Sequence, residues 1–539
     1  MDDRKAFLLL AAVIGLVLSL SYLMWSGPLY WFDDINYITY AHQMLTGTFS
    51  VVQSPYAYGF LPSAAIALSF LLLGASPFSA VLPNLIECIA MVVLTFLIGR
   101  KLYGNDVAVL SAFLCATAPF VIGYTSRALP DMLLGTIAAL SIYVFLIAQE
   151  RGEKHSHYLY AAAGAIAGLT IFVKLLGLAF MLAFFVGTAA LYLMGKGRRM
   201  RNGVAMAIGG NEVISVVAGL MIVFIAYDLM FFVYTGSPFY GVITYGQNQA
   251  AISHSSISQN ISVLLVMFFG YSATYTSIFG EDVSWNIFPL GLIAFWAVAG
   301  GVIAMASRKR EGVFLAALTW VLPLYLFFGT VSLSSYTSIF VTSRYFIAVA
   351  APMAVLASYA MLDMSRAFGV VFGETVRTAM LAAFIAATII SYMVVYIVLY
   401  NYSIAVSENN YALGSAVAYL NDTHYDGQLL VNDYGYVTYL DFLSGYRRQI
   451  NAVPLNFSHM NDLKLQISGA CDSTSPTYVF FAFDNYTETQ SLINFNIVKS
   501  FITADCMMKS VASFNEQGAQ QYAFNAFDLN ATMYEINRT

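Results

Sequence analysis

The 539-residue chain holds 59% hydrophobic and only 10% charged residues, with a mean hydropathy of +0.72 and a net charge of −5. Soluble domains carry about a quarter charged residues, so a soluble globular protein is excluded and a polytopic membrane protein is expected. A weakly acidic chain with no basic tract has no electrostatic footprint for nucleic acid, and the scarcity of low-complexity sequence excludes a disordered chain.

Runs of about 20 apolar residues mark spanning helices. In chain order they fall at 6–24, 79–99, 106–122, 131–148, 158–173, 175–194, 210–234, 285–306, 312–331, 344–363 and 378–400, eleven in all. The first follows Arg4 and Lys5 and lacks a small-residue cleavage site, so it reads as a retained span. Two more apolar stretches, 61–74 and 261–279, are short or interrupted by polar and aromatic residues and fit interfacial or re-entrant helices. With the N-terminus cytoplasmic, fifteen basic residues collect on the inner side, including Arg100, Lys101, Arg198, Arg199, Arg201 and the cluster Arg308, Lys309 and Arg310. A true span at 261–279 would put that cluster outside, which favours the re-entrant reading.

The chain therefore divides at residue 400. Residues 1–400 form an α-helical membrane module with outer loops at 25–78, bearing interfacial helices, and at 235–284, bearing the re-entrant segment. Residues 401–539 form an extracytoplasmic soluble domain, where strand-like runs such as Thr477–Phe483 alternate with helix-like ones such as Tyr436–Leu443, the pattern of a small α/β fold. This tail contains six Asn-X-Ser/Thr sequons, at Asn401, Asn421, Asn456, Asn485, Asn530 and Asn537, which suit an extracytoplasmic surface; chance in an Asn-rich segment accounts for about half of them. Cys471 and Cys506 lie where a disulfide is permitted, but sequence gives no separation to decide it. Cys88 and Cys115 fall in spans as small packing residues, and no CxxC or paired-His pattern points to a structural metal.

Only three basic residues remain on the outer side of the membrane module: Arg127, Lys174 and Arg344. The outer acids are Asp33, Asp34, Asp131, Glu281 and Asp282. Charges near a membrane are costly unless paired or facing a wet cavity, so each is a candidate site residue, with helix-end anchoring or ion pairing the plainer alternative. Asp33 and Asp34 open a segment in which Ile35, Ile38, Ala41 and Leu45 keep a helical period, the pattern of an amphipathic helix lying on the outer surface. Helix capping by either aspartate is the competing explanation. His42 has no second His four residues on and reads as an interfacial polar residue. Tyr56, Tyr58, Tyr240, Tyr245, Tyr271 and Tyr275 populate the outer loops; an interfacial aromatic belt accounts for them, with a sugar-stacking wall as the alternative. Glu87 and Asp228 sit inside spans, where pairing across helices is open to them.

The pair Asp33-Asp34 with Tyr37, Ala41 and Gly47, then Pro62, the stretch 77–104, Ser126-Arg127-Ala128-Leu129-Pro130-Asp131, and Ser343-Arg344-Tyr345 with Pro352 resemble the polyprenyl-phosphate-sugar-dependent glycosyltransferases of the C-type fold. Protein O-mannosyltransferases and aminoarabinose transferases are the relatives. The resemblance runs through residues 6–200 and then thins to isolated points. It implies a membrane glycosyltransferase module with an extracytoplasmic site, and it maps the first acid of the family's Asp-Glu pair to Asp33, with Asp34 in place of the Glu. The family's Lys-Pro-Pro before the second interfacial helix is absent, since Phe60-Leu61 precede Pro62. Asn432-Asp433-Tyr434-Gly435-Tyr436 faintly resembles the Trp-Trp-Asp-Tyr-Gly motif of oligosaccharyltransferases without its tryptophans, and Asp433 reads as a helix cap.

Glycosyl transfer from a lipid phosphate needs a base for the acceptor hydroxyl and cations for the departing phosphate. The expected assignment is Asp33 as base with Asp34 as its catalytic neighbour, and Asp131, Arg127, Lys174, Arg344 and Tyr345 as substrate contacts. Arg344 is the first choice for phosphate, because a guanidinium meets it in bidentate fashion. One-step displacement inverts the anomeric centre. No cofactor is expected, since side chains neutralise a monophosphate leaving group; a divalent cation stays an open alternative. The partners expected are a polyprenyl-phosphate-linked sugar, a protein, lipid or glycan acceptor, and the lipid of the cell membrane. The competing readings are a multi-pass transporter of an envelope lipid or sugar, and an oligosaccharyltransferase-like enzyme using a lipid-diphosphate donor. A transporter calls for internal repeats and ionisable groups at mid-membrane, and the candidate charges lie near span ends instead.

Overall fold

The computed structural model describes residues 1–25, 33–150, 153–196, 208–252, 257–269, 271–276, 282–287, 289–307, 310–330, 342–422, 429–431, 434–444, 446, 452–455, 460–472, 477–483, 498, 506–514 and 530–538. Helix α1 (Asp3–Leu23) opens on the Asp2 side chain, which accepts from the Lys5 N–H. Next come α2 (Asp33–Thr46), a 3₁₀ turn (Pro55–Ala57), α3 (Leu61–Leu73) and α4 (Pro77–Tyr103). A reciprocal Ser76/Ser79 capping box with Pro77 in the first turn starts α4 where the hydropathy rises. Then follow α5 (Asn105–Ala116), α6 (Pro119–Ile122), α7 (Asp131–Glu150), α8 (Glu153–Leu169), a 3₁₀ turn (Thr170–Phe172), α9 (Gly177–Lys196), α10 (Gly210–Thr235), α11 (Tyr240–Ile252) and α12 (Ile257–Phe269). An antiparallel hairpin, β1 (Tyr271–Thr276) and β2 (Asp282–Ile287), precedes α13 (Ile293–Ala306) and α14 (Arg310–Phe328). A 3₁₀ segment (Ser343–Val349) leads into α15 (Ala350–Phe372), and α16 (Glu374–Asp422) closes the membrane module.

Each of the eleven apolar runs coincides with helix. Seven helices among the described residues are long and apolar enough to cross a membrane, and α3, α5, α13 and α14 are shorter apolar helices. The molecule is a mostly helical membrane protein. Two details depart from the hydropathy reading. Residues 285–287 belong to β2, so that span begins at Ile293, and the stretch read as re-entrant, 261–279, is the second half of α12 followed by β1. An alternation such as Tyr271-Ser-Ala-Thr-Tyr275 has the two-residue period of a strand, which an average over hydropathy conceals.

Segment 343–372 is the central element, with its most apolar window fully buried. It packs against α13, α14, α16, α4 and α5 in one continuous apolar core. The 401 boundary falls inside α16, which continues unbroken to Asp422. Beyond it, β3 (Leu429–Val431), α17 (Tyr434–Leu443), β4 (Ala452–Pro454), α18 (Met460–Asp472), β5 (Thr477–Phe483), β6 (Cys506–Phe514) and β7 (Asn530–Arg538) build a sheet of order β4-β3-β5-β7-β6. Strand β3 runs parallel to β4 and β5, while β7 is antiparallel to β5 and β6. The Cys471 and Cys506 side chains lie outside the described residues, as do those of every sequon Asn except the exposed Asn421. Cys88 and Cys115 are fully buried in the helical core.

A second apolar core joins the two regions. Ile35, Ile38 and Ala41 of α2 and Ile66 and Phe70 of α3 share it with Leu413, Tyr439, Leu440, Phe442, Phe480 and Met533. His42 stacks on Tyr446 at 3.7 Å with planes 8° apart, and burial lowers its pKa.

Candidate active site

Four chain segments bring the outer charges together. Asp33 and Asp34 occupy the first turn of α2, where the helix dipole favours negative charge. Both lie at the helix N-terminus, within its first turn. Asp131 is the first residue of α7. Lys174 follows the 3₁₀ turn that ends α8, and Arg344 is in the first turn of the 3₁₀ segment before α15.

Close backbone approach sets the spacing. A Cβ on Gly59 would overlap the backbone of Val173, so the 55–60 turn lies directly on the strand of chain that presents Lys174. A Cβ on Gly135 would meet the Ile347 carbonyl at 2.7 Å, so α7 lies tight against the 343–349 segment and Asp131 is drawn toward Arg344. Asn84 of α4 donates to the Leu129 carbonyl at 3.0 Å and fixes the 124–130 loop from below.

The six charged candidates then sort into two groups. Asp34 is fully buried. Its Oδ2 accepts from Arg127 Nη2 at 2.6 Å, and its Oδ1 accepts from Arg127 Nε at 3.1 Å and from the Ala128 N–H at 2.7 Å. The sequence reading expects Asp34 beside the reacting atoms and Arg127 on the phosphate; in the structure the two side chains are bonded to each other. The carboxylate is saturated and out of reach of solvent, and the Arg127 guanidinium is itself buried, so the pair clamps the first outer loop to the second.

The second group gathers around Arg344 and includes the partly exposed Asp33. Arg344 Nη2 donates to Asp33 Oδ2 at 2.8 Å, and the Asp33 side chain is 23% exposed. Lys174 Nζ donates to Asp131 Oδ1 at 3.1 Å, and Arg344 Nε lies 3.9 Å from Asp131 Oδ2. Tyr345 sits beside both cations, with Lys174 Nζ 4.2 Å and Arg344 Cζ 5.6 Å from its ring centroid. Asp33, Asp131, Lys174, Arg344 and Tyr345 are thus neighbours in one cluster. Glu281 and the side chain of Asp282 lie outside the described residues.

Tyrosines complete the site. Burial first, then the Asp33 and Asp131 carboxylates, holds the Tyr37 phenol well above its ordinary pKa, with Arg344 opposing. Tyr56 is raised by burial, by the charge of Asp33 and by its hydrogen bond to that carboxylate. Tyr245 of α11 is raised mainly by burial, with Tyr345, Tyr56 and Asp33 adding to it. Tyr124 is raised by burial and bonds Ser343. All four phenols stay protonated and can act as hydrogen-bond donors. Of these, Tyr56 and Tyr245 belong to the outer-loop set that the sequence assigned mainly to an interfacial belt, whereas Tyr124 and Asn84 carried no signal beyond a polar residue in or near an apolar run. Tyr58 and Tyr240 pack edge-on at 6.2 Å further out. Glu87 and Asp228 do not meet. Asp228 accepts from the Phe239 N–H at 2.5 Å, while Glu87 Oε2 has no hydrogen-bond partner among the described residues.

Among the described residues no three His, Cys, Asp or Glu side chains converge on a point. A divalent cation between Asp33 and Asp131 would have to displace Arg344 from both.

Residues 57–222 match the family described as dolichyl-phosphate-mannose-protein mannosyltransferase. No curated protein matches the chain in sequence. Among solved structures, ArnT from Cupriavidus metallidurans, known in its apo state and bound to undecaprenyl phosphate, aligns with a TM-score of 0.60 at 12% identity, over 99% of this chain and 98% of that one. The Archaeoglobus fulgidus oligosaccharyltransferase, tethered with an acceptor peptide containing the NVT sequon, aligns with a TM-score of 0.53 at 12% identity, over 93% of this chain and 71% of that one. The chain has the C-type fold of membrane glycosyltransferases, as its sequence motifs implied.

Proposed function

We propose that the protein is a membrane glycosyltransferase that moves a sugar from a polyprenyl-phosphate donor to an acceptor hydroxyl on the outer side of the cell membrane, with inversion and with Asp33 as general base. The observation that carries this reading is the half-open pair of Asp33 and Arg344, 2.8 Å apart, with Lys174 and Asp131 alongside. A carboxylate that reaches solvent can accept the acceptor's proton, and two cations beside it can stabilise charge on a departing phosphate. Undecaprenyl phosphate bound to the similarly folded ArnT supports a polyprenyl monophosphate as the lipid carrier.

In this mechanism Arg344 and Lys174 hold the phosphate, Asp33 deprotonates the acceptor hydroxyl, and Tyr56 orients Asp33 through its hydrogen bond. Tyr345, flat beside the two cations, limits where the phosphate can sit. The Asp34–Arg127 pair positions Asp33 without touching substrate. Side chains alone supply the charge, so EDTA leaves turnover unchanged; loss of turnover in EDTA would put a metal back between Asp33 and Asp131.

The test is sugar transfer from a panel of polyprenyl-phosphate sugars by purified protein in lipid, with a cell-envelope extract as acceptor. Transfer that falls by about two to four orders of magnitude in Asp33→Asn supports the reading. Transfer only from diphosphate donors would favour an oligosaccharyltransferase-like enzyme, and no transfer from any donor by folded protein would favour a transporter.

A further inference from the structure

One carboxylate oxygen of Asp131 is ion-paired but not hydrogen-bonded among the described residues. Asp131 Oδ1 takes the Lys174 ammonium, whereas its Oδ2 is buried and accepts no hydrogen bond among the described residues. That oxygen faces Arg344 Nε at 3.9 Å. An N–H···O bond closes at about 2.9 Å, so a guanidinium shift of about 1 Å would complete it. The same guanidinium now holds Asp33 through Nη2. Arg344 thus stands between two carboxylates, one engaged and one within reach.

The engagement matters for chemistry. A carboxylate whose lone pair is taken by a charge-assisted hydrogen bond is a poor proton acceptor, so Asp33 is masked while Arg344 holds it. The anionic phosphate of the lipid-linked sugar, a phosphodiester, competes for that Nη2 edge of the guanidinium, and the planar fork leaves Nε aimed at Asp131. A ligand shifts an equilibrium only by contacts that differ between the two states. Here two differ: phosphate on Nη2, and Asp131 Oδ2 on Nε.

We propose that Asp131 is a positioning residue that receives Arg344 when the phosphate of the lipid donor enters, and that this transfer unmasks Asp33 as the base only after the donor is in place. The proposal rests on the glycosyl-transfer reading above and adds an order to it: lipid phosphate first, acceptor hydroxyl second.

The decisive experiment is a structure of the full-length protein in nanodiscs with a C55 polyprenyl monophosphate that carries no sugar. Arg344 Nε bonded to Asp131, with Nη2 off Asp33, is the expected result. Kinetics of Asp131→Asn supply the second readout, with thermal unfolding as the folding control: kcat falls by about tenfold or more while the donor KM changes by less than about threefold, because the phosphate still finds its cations but Asp33 stays masked. Bound lipid phosphate with Arg344 still on Asp33 overturns the proposal and leaves the glycosyl-transfer reading standing, as does an Asp131→Asn defect confined to KM. Failure of the wild-type protein to bind the lipid phosphate at all overturns the glycosyl-transfer reading and this proposal with it.

Discussion

The two halves of the outer charge cluster use the same pair of ions in opposite ways. Around Asp34, three donors from Arg127 and Ala128 satisfy a fully buried carboxylate, and the result is a fixed joint between α2 and the loop before α7. Around Asp33, Arg344 and the Tyr56 phenol meet a carboxylate that is still 23% exposed. Adjacent residues on a helix point about 100° apart. That rotation alone separates a charge that holds loops together from a charge that can take part in a reaction. Rank of acidity in the sequence says nothing about which is which; access does.

Substitutions can break this contrast. Asp33→Asn should cost about two to four orders of magnitude in transfer rate. Its ion pair is partly solvated, so thermal unfolding in detergent should place its stability within about 1 kcal/mol of the wild type. Asp34→Ala should show the reverse pattern, a loss of about 3–5 kcal/mol in stability, because it strands the Arg127 guanidinium in a buried setting. A near wild-type melting profile for that variant would remove the joint from the account. Arg344→Lys, which trades a planar fork for a point charge, should lower kcat/KM by about tenfold with the fold intact.

Smaller effects sharpen the same boundary. Tyr56→Phe removes one hydrogen bond to Asp33 and should lower the rate by about fivefold, the equivalent of about 1 kcal/mol. Because burial and the Asp33 carboxylate raise the Tyr56 phenol, its neutral, donating form persists upward in pH rather than being lost near the usual value of about 10. A pH–rate profile should therefore show no alkaline limb that Tyr56→Phe abolishes below pH of about 9.

Much of the fold was legible because a membrane writes directly into hydropathy: the eleven apolar runs are helical over nearly all of their described length, and the scarcity of cations outside the basic loops singled out Arg127, Lys174 and Arg344. Partnership was not legible. Asp34 and Arg127 lie 93 positions apart and Asp33 and Arg344 lie 311 apart, and no local period connects them. The end of α16 was hidden for another reason. Hydropathy falls where a chain leaves lipid, but a polar helix can continue in water, so composition changes near 401 while the backbone does not. The tyrosines at the site were obscured because the same residue type serves interfacial belts and polar cavities alike.

The unbroken run of α16 has a mechanical consequence. Residues 401–422 rise about 33 Å at about 1.5 Å per residue, so the helix acts as a rigid shaft between the last span and the outer sheet. Helix α17, packed on that shaft, meets α3 through Phe70 against Phe442, and Tyr446 just after it stacks on His42 of α2. One residue added to the shaft turns everything above it by about 100° and lifts it by about 1.5 Å, which takes both ring pairs out of mesh. The length of α16 is thereby tied, to the residue, to the position of α2, a helix with which it shares no turn of chain.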